Sequence, residues 1–220
     1  MRRLSGLRGS FKVLSLTAAS LCAAAFLGAA AITPDVHVGV GLVASCLVLS
    51  ALAVIAESMA VEFTDRITLT ASNLPILLAI MFLEPVAAIS VAFLAGLWGS
   101  WRERSAYIAL FNLANIVVAV AAASAVFLGL EHIWAFAHSG LSAGLLAAGG
   151  IAAATYEFTN MAGVGLASKL MYQRPLSTYW KSELAPFARS VAVLTALGLM
   201  TAALYAEAGL VAVVLLFVPL

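Results

Sequence analysis

Two short polar constellations sit inside otherwise apolar sequence, and they carry most of the chemistry open to this chain. Asn112 and Asn115 stand three residues apart, as do Glu157 and Asn160, with Tyr156 alongside. On a helix that spacing puts both members of each pair on one face. Glu57 marks the end of one further apolar run and Asn73 lies within another. An ionisable or amide side chain at membrane depth needs a partner, and an intramembrane carboxylate is a functional candidate by default. Glu57, Asn73, Asn112, Asn115, Glu157 and Asn160 are therefore the candidate ligand-binding residues, converging on a cavity between helices that takes a small polar ligand. The competing reading is that they act as glue between helices, each bond worth about 0.6 to 2 kcal/mol.

Other chemistries are missing from the sequence. It has no Walker-type phosphate loop, no paired His-Glu metalloprotease helix, no nucleophile elbow and no aspartate-rich alcohol phosphotransferase motif. An enzyme is not expected, and neither a cofactor nor a metal is called for. His37, His132 and His138, with Asp35 and Glu131, fit no metal-ligand spacing, and Cys22 and Cys46 lie within apolar runs that suit neither a disulfide framework nor a metal knuckle.

The elements that must position these residues follow from composition. Of 220 residues, 64% are hydrophobic and 10% charged, with a mean hydropathy of +1.10. Soluble domains average roughly 45–50% apolar and about 25% charged, so this is the composition of an integral membrane protein. The expected fold class is all-α, a polytopic transmembrane bundle of about seven to eight helices that includes a short-helix hairpin.

Residues 1–12 read as a basic cytoplasmic N-terminus, and 13–32 as a first transmembrane helix, or alternatively a signal peptide ending at Ala29-Ala30-Ala31. Residues 38–220 read as the membrane-embedded bundle. Within it the spans are Val38 to Ala56, Ile67 to Leu83, Val86 to Trp101, Ala106 to Leu130, Leu141 to Tyr172, Phe187 to Tyr205 and a short last run from Gly209. The Glu84-Pro85 step breaks the third from the fourth, because proline lacks the helix donor and disfavours helix in the residue before it. Alternation from Val61 to Thr70 around a turn at Asp65 predicts short extended segments capping the bundle, overlapping the start of the third span. The sixth span is long enough to require tilt, protrusion or a bend near Gly163 and Gly165. Small residues along Ala114 to Ala125 and Ala143 to Ala154 predict close contact of the fifth and sixth helices.

With this threading all 11 Lys and Arg residues fall on one side: Arg2, Arg3, Arg8, Lys12, Arg66, Arg102, Arg104, Lys169, Arg174, Lys181 and Arg189. Basic loops resist translocation, so that side is cytoplasmic and holds both termini. A cell membrane crossed several times is the expected location. The expected partners are the lipid bilayer, a small polar ligand, and a second copy or another membrane protein. With a net charge of +1, nucleic acid is not among them. The last apolar run stops at Leu220 without a basic anchor, as it would if a longer relative continued into the cytoplasm.

Two resemblances attach to these motifs. The stretch Ile67 to Leu78, followed by Glu84-Pro85 and a small-residue helix through Gly96 and Gly99, resembles substrate-binding subunits of energy-coupling factor vitamin transporters, with Glu84 where those carry glycine. Arg102, Arg104, Phe111 and Asn112, then Tyr156 to Asn160, then Val218-Pro219-Leu220, more closely resemble the vitamin-uptake-like membrane sensor region that precedes bacterial HD-type phosphohydrolase or diguanylate cyclase domains. That resemblance implies a sensory, ligand-binding module coupling a small-molecule signal to a cytoplasmic output domain. The alternatives are a solute-binding component of a transporter and a non-catalytic membrane assembly protein.

Overall fold

The computed structural model describes residues 2–32, 39–59, 61–64, 67–69, 71–101, 103, 105–133, 143–172, 177, 181 and 185–217. Among them are seven helices: α1 (Arg2–Ile32), α2 (Val40–Ser58), α3 (Asn73–Phe82), α4 (Pro85–Ser100), α5 (Ala106–Ile133), α6 (Ala143–Tyr172) and α7 (Ala185–Phe217). One antiparallel pair of short strands, β1 (Val61–Thr64) and β2 (Ile67–Leu69), joins α2 to α3. The molecule is thus an all-α bundle with one small hairpin. Three of its helical stretches, Phe11–Ile32, Val40–Ser58 and Ala106–Glu131, are long and apolar enough to cross a membrane.

The apolar side chains face two ways. Leu16, Leu27, Leu47, Ile55, Leu94, Phe158 and Met200 are exposed on the outside of the bundle, where lipid rather than water suits them. The inward faces of α2, α3, α4, α5 and α6 form one continuous core around Leu49, Ile76, Leu78, Ile89, Val117 and Val120.

Helix α3 is at the centre of that core. Every residue from Pro75 to Met81 is buried, as expected of a helix apolar on all sides. It packs against α2, α4, α5, α6 and α7. Two glycines admit it: a Cβ on Gly198 of α7 would lie 2.7 Å from Leu77, and one on Gly149 of α6 would lie 2.7 Å from Met81.

The span expected from Ile67 to Leu83 is helical only from Asn73. Ile67 to Leu69 pair instead with β1 in the register Val61↔Leu69, Glu62↔Thr68 and Thr64↔Ile67, with an irregularity between Glu62 and Thr64. A run of β-branched residues alternating with polar ones favours pleated pairing over helix. The cap of extended segments is therefore present, while the turn expected at Asp65 lies outside the described residues. With 10 residues, α3 rises only about 15 Å, roughly half of a hydrocarbon core.

Pro75 is tolerated because the first turn of a helix has no internal acceptor for its missing N–H. The helix stops where Leu83 and Glu84 turn extended (ψ 159° and 146°) ahead of Pro85, which opens α4 at its first position.

One further boundary differs from the sequence reading. The first helix begins at Arg2 rather than near residue 13. Phe11 is buried against Phe111 with ring centroids 5.8 Å apart, and Lys12 Nζ lies 5.1 Å from the Tyr107 ring, so contacts with α5 extend the helix towards its basic end. Helix α6 runs unbroken through Gly163. The two expected C-terminal spans are two helical segments that meet at Gly209 (φ 72°, ψ −169°), where the backbone of α7 (Ala185–Phe217) is non-helical and the chain kinks, at the position where the sequence reading starts its last run. The expected contact of the fifth and sixth spans is present, and α5 and α6 form the most extensive helix pair in the bundle.

Candidate functional site: a polar belt and two cavities

The polar residues assemble from the ends of α2 and α3 inward. At the last turn of α2, Glu57 accepts a 2.8 Å hydrogen bond at Oε2 from the Ser72 hydroxyl. Its other oxygen rests on α4, where a Cβ on Gly99 would lie 2.9 Å from Oε1. Ser72 is fully buried and immediately precedes α3.

The next residue continues the chain of contacts. Asn73 donates through Nδ2 to Glu157 Oε1 at 2.6 Å, and its Oδ1 accepts from the Tyr156 hydroxyl at 3.2 Å. One turn further along α6, Asn160 accepts from Asn115 Nδ2 twice, at Oδ1 (2.6 Å) and at its backbone oxygen (3.0 Å). The Asn115 side chain lies so close to Gly163 that no Cβ could be accommodated there.

Glu57, Ser72, Asn73, Tyr156, Glu157, Asn160 and Asn115 thus form a belt across α2, α3, α6 and α5. Five of the six residues singled out by type and spacing belong to it. Asn112 does not: it is exposed and donates to Glu103 Oε1 at 3.3 Å, bridging the connection between α4 and α5. A residue three positions from Asn115 lies about 60° around the helix, enough here to turn it out of the α5–α6 contact. The belt members Ser72 and Tyr156 and the glycines beneath it were not among the six. Ser72 adjoins Asn73 and Tyr156 adjoins Glu157, but only the fold shows which hydroxyl turns inward.

Belt side chains are largely satisfied by one another. The exception is Glu157 Oε2, a buried atom with no hydrogen-bond partner, on a residue 7% exposed. Beside it is a cavity of about 20 Å³ lined by Asn73, Leu77, Ile80, Ala153, Tyr156, Glu157 and Thr195. A space of that size holds one water-sized occupant.

A much larger cavity, about 530 Å³, lies at the opposite end of α3. Its walls are Leu42, Ile80, Met81, Phe82, Leu83, Pro85, Phe127 and Leu128, with Glu84, Ser124 and Glu131 as the polar lining. Glu84 and Glu131 are exposed, whereas Ser124 is buried and its hydroxyl has no partner. Ile80 lines both cavities and separates them. The rise along α2 from Leu42, beside the large cavity, to Glu57, in the belt, is about 22 Å.

Among the described residues no three His, Cys, Asp or Glu side chains gather as a metal site, and both cysteines are free. His37, His138 and Asp35 lie outside the described residues. Comparison of the chain with known protein families, with curated proteins and with solved structures finds no match in any of the three.

Proposed function

We propose that this chain is a multi-pass membrane module that binds a small molecule in the cavity at the Glu84 end of α3 and transmits that binding to a partner or output domain. The observation that carries this reading is the cavity itself. At about 530 Å³ it falls within the roughly 300–1,000 Å³ range of small-molecule pockets, and it combines apolar side chains with the polar groups of Glu84, Ser124 and Glu131. The space left in the polar belt is too small for an organic ligand.

In this reading the belt acts as the second state-sensing layer. Ligand contacts on Ile80, Met81 and Phe82 bear on α3, whose other end is tied to α2 and α6 through Ser72 and Asn73. Only a ligand with different affinities for two packings of α3 could transmit anything.

The basic residues supply the orientation. Lys12 of α1 meets Tyr107 at the start of α5, so the basic N-terminus and the connection carrying Arg102 and Arg104 share one end of the bundle. That end is cytoplasmic by the bias of basic residues, as are both termini, which puts Glu84 and the large cavity on the outer side of a bacterial plasma membrane. A solute-binding component of a transporter is the second reading. The short helices α3 and α4, broken at Glu84-Pro85, favour it, since interrupted helices commonly build transporter sites.

The test is a thermal-shift screen of the detergent-purified chain against amphipathic small molecules, repeated on Ser124→Phe, which fills the cavity. Compounds should stabilise the wild type and lose that effect in the variant. A screen without hits, or hits indifferent to the substitution, would sink the proposal.

A further inference from the structure

We infer that Glu157 is the carboxylate of a binding site for one small monovalent cation of about sodium size, set at the junction of α3, α6 and α7 and closed from the larger cavity by Ile80. The inference starts from hydrogen-bond inventory. Asn73 Nδ2 donates to Glu157 Oε1, and the Tyr156 hydroxyl spends its proton on Asn73 Oδ1. These two donors are thus spent within the trio; the oxygens Tyr156 Oη, Asn73 Oδ1 and Glu157 Oε2 keep lone pairs, and the second N–H of Asn73 is the one donor left over. Thr195 of α7 lines the same small space.

Glu157 Oε2 is buried and accepts no hydrogen bond among the described residues. A buried polar atom left bare keeps its full desolvation penalty, so the geometry calls for an occupant. The cavity of about 20 Å³ beside it admits one of water size.

Chemistry selects among occupants of that size. The space is lined by four oxygen-bearing side chains, Asn73, Tyr156, Glu157 and Thr195, and by no sulfur or imidazole, which suits a hard cation rather than a soft one. One carboxylate among neutral groups balances a single positive charge; no second Asp, Glu, His or Cys lines the space, and no group of three gathers as a metal site among the described residues. Access runs along α3. Ile80 is 3% exposed and is the wall shared with the large cavity, so a change of its rotamer opens the route from the Glu84 end.

The site does not depend on what the large cavity binds, and its test is direct. The full chain, purified in detergent and choline chloride, is titrated with radioactive sodium at constant ionic strength. Retained sodium and the unfolding temperature are both read. Saturable binding of one sodium per chain is expected, with Glu157→Gln weakening it by about ten-fold or more. Thr195→Val, which leaves the Asn73–Glu157 bond intact, should also weaken binding and serves if Glu157→Gln does not fold. The absence of saturable sodium binding in the wild type would mean that the space holds a water only. Sodium binding unchanged by both substitutions would place it elsewhere on the molecule. Either result overturns the inference.

Discussion

Asn73 and Glu157, 84 positions apart in sequence, are joined by a 2.6 Å hydrogen bond that fixes the start of the shortest helix against the middle of one of the longest. Helix α3 has few other polar means of fixing its depth and rotation, because its remaining residues are apolar and pack without direction. The bond therefore sets register, and the Tyr156 hydroxyl on the same amide holds its orientation.

That relationship predicts energetic coupling. Asn73→Ala and Glu157→Ala should each destabilise the purified chain, since each leaves a buried group of the other unpaired, at about 1–3 kcal/mol. The double variant should lose less than the sum, with a coupling of about 0.5–2 kcal/mol. Strict additivity in a thermodynamic cycle, read by denaturant unfolding in detergent, would show that the two residues act independently.

Gly163 supplies a steric test of the α5–α6 contact. Gly163→Ala places a methyl where the Asn115 amide sits, so Asn115 must leave and its two bonds to Asn160 are lost. A marked drop in unfolding temperature is expected, largely restored by adding Asn115→Ala. Gly129→Ala is the control: nothing lies within 4 Å of a Cβ there, and the change should be neutral or raise stability by up to about 1 kcal/mol. Equal effects of Gly163→Ala and Gly129→Ala would contradict the close approach.

Orientation can be read by chemical labelling. With Cys22 and Cys46 replaced by alanine, single cysteines at the exposed positions Glu84 and Glu103 should react from opposite sides of sealed cells. Position 84 should take up an impermeant thiol reagent directly, and position 103 only after permeabilisation. Labelling of both from the same side would refute the proposed topology.

Much of this architecture was legible before any coordinates. Composition and the distribution of basic residues gave the class, and Glu84-Pro85 gave the break between α3 and α4 because proline acts locally. The polar pairs were visible because apolar sequence throws them into relief. What stayed hidden depends on tertiary choices. Nothing local tells Asn112 from Asn115, yet one is exposed and the other faces Gly163. The large cavity is a property of how Leu42, Ile80 and Phe127 fail to fill space, and apolar residues look alike whether they meet or stand apart. The length of α3 was overestimated because Ile67-Thr68-Leu69 is apolar enough for helix, and only its pairing with Val61 to Thr64 makes it a strand.

The kink in α7 carries the last prediction. Gly209 is the described glycine with a positive φ, 72°, in a conformation that side chains adopt only at a cost. A Cβ there would meet nothing within 4 Å, so any penalty for Gly209→Ala is conformational rather than steric crowding by neighbours. Replacement should destabilise the chain by about 1 kcal/mol or straighten the helix. Beyond the kink Val213 is fully buried and belongs to the core, so straightening would withdraw it. Gly209→Ala should therefore lower the unfolding temperature and increase protease sensitivity after residue 209, and a D-alanine introduced there by semisynthesis should restore both, because its mirror-image side chain suits positive φ. If L-alanine and D-alanine behave alike, the left-handed conformation at Gly209 is not what holds the end of α7 against the core.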